Sequence, residues 1–104
     1  MVPAGLPALQ NAIRHLYAVE STFVESVPVT LRVLGDVLWD REVQVFDLPP
    51  GSLSPRAYAW SYLRDTTGEA RQFVAILHSP YIESPVKAVQ AYLVKAVRDA
   101  KRGR

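Results

Sequence analysis

Apolar residues recur along the chain with two different periods, and the switches between them outline six elements. Leu6, Leu9, Ile13, Leu16 and Tyr17 follow the three-and-four spacing of one helix face, so residues 7–19 read as an amphipathic helix. Pro3 and Pro7 sit before it or in its first turn, where a missing N–H costs little. Ser21 and Thr22 are poor helix formers and mark where a β-branched run begins. From Val27 the period drops to two. Val27, Val29, Leu31 and Val33 alternate with Pro28, Thr30, Arg32 and Leu34, which predicts a strand over 27–34 with one mainly apolar face. Pro28 cannot donate to a ladder, so this strand belongs at a sheet edge or begins near the proline. Gly35-Asp36 supplies a turn, and residues 37–48 read as a second strand, best defined over 42–46. Residues 39–42 interrupt the alternation and are expected to form a bulge or a second turn.

Prolines, glycine and serines make residues 48–55 a loop. Residues 57–63 and 72–78 alternate again, and a loop over 65–69 joins them as a hairpin. Ser79-Pro80 ends the fourth strand. Ser84 and Pro85 suit the cap and first position of a helix that runs to about residue 101. The expected fold is α+β with order α-β-β-β-β-α. It is a two-layer domain with a four-stranded, mainly antiparallel sheet and both terminal helices on one face. At 104 residues the chain suits one domain.

Composition narrows the function more than it names one. With 49% apolar and 21% charged residues, the chain resembles an ordinary globular protein rather than a disordered one. The absence of cysteine removes disulfides, thiol catalysis and thiolate metal ligands. No apolar run approaches the ~18 residues of a membrane span, and the first residues lack a signal-peptide pattern, so a cytoplasmic protein without a membrane partner is expected. The net charge of +2 hides an asymmetry. Residues 1–86 carry six basic and nine acidic side chains, a balance of −3, whereas residues 87–104 carry six and one, a balance of +5.

That basic segment places Lys87, Lys95, Arg98, Lys101 and Arg102 within an arc of about 120° on the last helix, opposite an apolar arc. The arc is a candidate anion or nucleic-acid contact, expected to be weak. The plainer reading is a solvated helix face. No aromatic side chain lies among the five cations to stack on bases, and no glycine-rich phosphate loop precedes the helix.

The third strand puts Tyr58, Trp60 and Tyr62 on one side, and the fourth puts Val74 and Ile76 on one side. Both faces of this hairpin are apolar, more than helices on a single face would cover. Tyr58, Trp60, Tyr62, Val74 and Ile76 are therefore a candidate partner interface, most simply with a second copy in a homodimer. His15 and His78 are the only histidines, without further ligands at metal-binding spacing. Asp40, Arg41 and Glu42 form the densest charge group of the body; two carboxylates flanking an arginine could do acid–base work, but surface turn charges are the far commoner case. No nucleophile elbow, dinucleotide fingerprint or Walker sequence occurs. The order helix–strands–helix is loosely similar to double-stranded-RNA-binding domains. That family's second helix opens with a lysine cluster, where residues 83–87 here hold one lysine, and the strands number four, not three. No property is carried over. The expectation is a non-enzymatic interaction module without metal or cofactor, a nucleic-acid-binding accessory protein being the alternative.

Overall fold

A computed structural model describes residues 5–63 and 71–102 of the chain. Its elements are α1 (Leu6–Tyr17), β1 (Thr22–Val33), β2 (Asp36–Asp47), β3 (Arg56–Leu63), β4 (Arg71–Leu77) and α2 (Pro85–Arg102). The order α-β-β-β-β-α and the α+β class agree with the sequence expectation. The sheet is an antiparallel meander, β1-β2-β3-β4, in which every strand pairs with its neighbours in sequence. The expected hairpin loop over 65–69 lies outside the described residues.

Two expected boundaries shift. β1 starts at Thr22 rather than at residue 27, because the β-branched run after α1 is already extended. α1 stops at Tyr17, where Ala18 turns left-handed at φ 58° and its N–H closes on the Arg14 carbonyl at 2.8 Å. No turn interrupts residues 39–42. Thr30↔Asp40, Val29↔Arg41 and Pro28↔Glu42 are in regular register, and the irregularity falls one residue earlier, between the Leu31↔Trp39 and Arg32↔Val37 pairs. Leu38 is the extra residue there. Ser84 caps α2 as expected, its Oγ accepting the Lys87 N–H at 3.3 Å.

The expected placement of both helices on one face is overturned. Along β3, Ala57 and Ala59 point to α1 and pack with Leu6, Leu9, Ile13, Phe46 and Ala75. Tyr58 and Trp60, alternating with them, point to the opposite face and pack with Val43, Val45 and the Ala88-Val89 pair of α2. The molecule thus has three layers, helix on sheet on helix. The physical reason was already in the strand pattern: a hairpin apolar on both faces needs cover on both. Alanines fill the α1 side, where the helix approaches closely, and large aromatics fill the α2 side.

The α2 layer is built around three rings. Trp60 makes T-shaped contacts with Trp39 and with Tyr92 of α2, each with centroids 5.4 Å apart. Edge-to-face packing of this kind adds roughly 0.5–1.5 kcal/mol per pair beyond the buried area. The Trp60 indole N–H is buried and finds no hydrogen-bond partner among the described residues.

β1 and β2 pair along almost their whole length, but β3 meets β2 only over Gln44–Asp47. The far end of the β1–β2 hairpin therefore projects past the sheet. Its two-residue turn is Leu34-Gly35, both at positive φ (52° and 86°). Leu34 is 99% exposed, with Val33, Val37 and Leu38 exposed around it.

Candidate functional site

The expected partner surface is not free. Tyr58 is 1% and Trp60 2% exposed, and α2 is what covers them. Tyr62, Val74 and Ile76 pack half-buried against the same cluster. These five residues do come together on one sheet face, as the alternation implied. That face is an interior, not an interface, because α2 lies on it rather than beside α1.

The other candidates are dispersed. His15 is exposed on α1. His78 sits past the end of β4, where its Nδ1 and the Tyr58 hydroxyl share a 2.8 Å hydrogen bond. Ser54 Oγ donates to the His78 carbonyl at 2.8 Å and ties this strand end to the 48–55 loop. Burial raises the Tyr58 hydroxyl above its ordinary pKa, and Arg56 partly offsets this. Asp40 and Glu42, two residues apart in β2, share one face, and Arg41 between them points to the other, so the arginine is not held between the two carboxylates. Asp40 accepts from the Thr30 hydroxyl at 3.0 Å, whereas Arg41 reaches toward the Ser61 carbonyl and lies over the Tyr62 ring, 5.8 Å from its centroid. Lys87, Lys95 and Arg98 are exposed on α2; the side chains of Lys101 and Arg102 lie outside the described residues.

What sequence reasoning missed is the outer edge of β4, which pairs with no further strand among the described residues. The His78 N–H donates to the Arg56 carbonyl at 2.9 Å, which fixes the phase of the β3–β4 ladder. Ile76 and Val74 turn their backbone groups inward to Tyr58 and Trp60. Phe73, Ala75 and Leu77 turn theirs outward. The Tyr17 hydroxyl, reaching from α1, donates to the Ala75 carbonyl at 2.7 Å and confirms the direction. Burial raises the pKa of that phenol, which fits its role as a donor.

This edge runs along a groove of about 920 Å³, walled by Leu16 and Tyr17 of α1 on one side and by Ala91, Tyr92, Lys95 and Asp99 of α2 on the other. Residues of two helices on opposite faces of the sheet wall it, one from each side. The two edges of the sheet differ in kind. β1 carries Pro28, a bulge at Val24 between Phe23 and Glu25, and the charges of Glu25 and Arg32. These are the usual devices that stop an edge from pairing. β4 has five uncharged residues in a row, Phe73 to Leu77, with neither proline nor bulge. The alternation in the sequence signalled that β4 was apolar on both faces. Only the strand order could tell that it was an edge.

No helix among the described residues is long and apolar enough to cross a membrane. No protein family, curated protein or solved structure matches the chain.

Proposed function

We propose that this chain is a non-enzymatic interaction module that captures an extended strand along the open edge of β4. The observation that carries the reading is the set of outward backbone groups at Phe73, Ala75 and Leu77, set in an apolar groove between two helices. Strand addition of this type draws affinity from main-chain hydrogen bonds and specificity from pockets for alternate side chains. The groove offers walls for such side chains on both sides of the strand, Leu16 and Tyr17 on one and Ala91 and Tyr92 on the other.

The test is amide hydrogen exchange read residue by residue. Two occupants are offered: an excess of a synthetic peptide copying residues 71–78, and the protein itself at high concentration. Occupation of the edge should slow the amides of Phe73, Ala75 and Leu77 while leaving Val74 and Ile76, already paired inward, nearly unchanged. Rapid exchange of those three amides under both conditions would remove the proposal.

A further inference from the structure

We infer that the strand captured by β4 is the β4 of a second copy, paired antiparallel about a twofold axis at Ala75. This rests on the strand-capture reading above and names its occupant.

Three observations select a second copy. The first is the contrast between the two edges. A head-to-tail assembly would join β4 to β1, and Pro28 and the Val24 bulge obstruct that pairing. Joining β4 to β4 uses the one undefended edge twice and leaves both defended edges outside. The assembly then closes at two copies, as an isologous interface does.

The second is the pattern of the edge itself. Centring the axis on Ala75 engages all three outward-facing residues of each strand, with Phe73 opposite Leu77 of the partner subunit. The smallest side chain then lies at the axis, where the two copies approach most closely. The Ala75 carbonyl already accepts from Tyr17, and its second lone pair is free for the added strand.

The third is charge. Lys95 and Asp99 stand one turn apart on the groove side of α2. A twofold axis perpendicular to the sheet keeps both α2 helices on the same face, running in opposite directions. Lys95 of one copy then approaches Asp99 of the partner subunit, and the reverse pair forms by symmetry. An opposite-charge pair at this spacing is self-complementary under such an axis.

The experiment is light scattering and sedimentation of the whole protein over a concentration series, with variants K95E, D99K, K95E/D99K and A75P. Both charged side chains are exposed, and the Ala75 N–H points away from β3; because Ala75 is itself buried against α1, circular dichroism checks that A75P folds, and the charge variants decide the matter if it does not. The wild type should be a dimer. K95E and D99K should each raise its dissociation constant roughly tenfold, since two favourable rim pairs become repulsive. K95E/D99K should restore it. A75P should abolish the dimer by removing the central donor. A monomeric wild type, or a dimer indifferent to A75P and to the charge swap, would overturn the inference. In either case, slowed Phe73, Ala75 and Leu77 amides with the 71–78 peptide would leave strand capture standing, and unslowed amides would remove both.

Discussion

The Tyr17 hydroxyl donates a 2.7 Å hydrogen bond to the Ala75 carbonyl, joining the last residue of α1 to the free edge of β4. It satisfies one outward acceptor on a strand whose other outward groups face the groove. α1 is thus latched to the edge it packs beside. Replacing Tyr17 by Phe should cost the fold roughly 1 kcal/mol, the net value of one hydrogen bond. It should not weaken association at β4, because the carbonyl gains a free lone pair. Chemical denaturation and light scattering on the same variant separate the two effects.

Trp60 belongs to the interior, and its truncation is expected to act on folding. Trp60→Ala should destabilise by roughly 3–5 kcal/mol, because Trp39 and Tyr92 both pack on the ring that is removed. The variant should show lost near-ultraviolet dichroism and a collapsed thermal transition. A well-folded Trp60→Ala protein with altered mass would contradict the placement of this face beneath α2.

Leu34 at φ 52° and nearly full exposure gains no packing and bears backbone strain. Asn favours this conformation in two-residue hairpin turns. Leu34→Asn should therefore raise stability by about 1 kcal/mol, seen as a higher denaturant midpoint at an unchanged slope. A lower midpoint would mean that the leucine makes contacts which the turn geometry does not suggest.

Tyr17, Tyr58 and Tyr92 all have pKa values raised above 10.0 by burial, and for Tyr92 a hydrogen bond with Tyr62 adds to it. A phenol harder to ionise in the folded state stabilises the fold fully at pH below its unfolded pKa. That contribution is lost as pH rises through the folded value. Stability should be flat with respect to these groups below about pH 9.5 and fall above about pH 10. Tyrosinate absorbance and denaturation midpoints across this window should move together; a flat stability above pH 10 would contradict the burial of these phenols.

The alternation of Ala57 to Leu63 and Phe73 to Leu77 made the strands and their two apolar faces legible in the sequence. The 3.6-residue periods made both helices legible, and Ser84 the start of the second. Which face each helix covers was not legible, because an amphipathic stripe records that a helix packs and not on what. The candidate interface failed for that reason: Tyr58 and Trp60 look the same under a helix as under a partner. The β4 edge escaped notice because a strand's hydrogen-bonding sides are set by the sheet order, which leaves no mark in its residue types.

α2 follows the whole sheet in the chain yet is the cover of its aromatic layer. While the protein is being synthesised, α1 and then β1 to β4 emerge before α2, and each hairpin closes between neighbours. Until residues 85–102 follow, Trp39, Tyr58 and Trp60 face water on a sheet whose β4 edge is also open. A nascent chain stalled at that point, or one cut before Pro85, would present both determinants of misassembly at once, a bare apolar face and an unpaired strand, and would be a natural client for a chaperone.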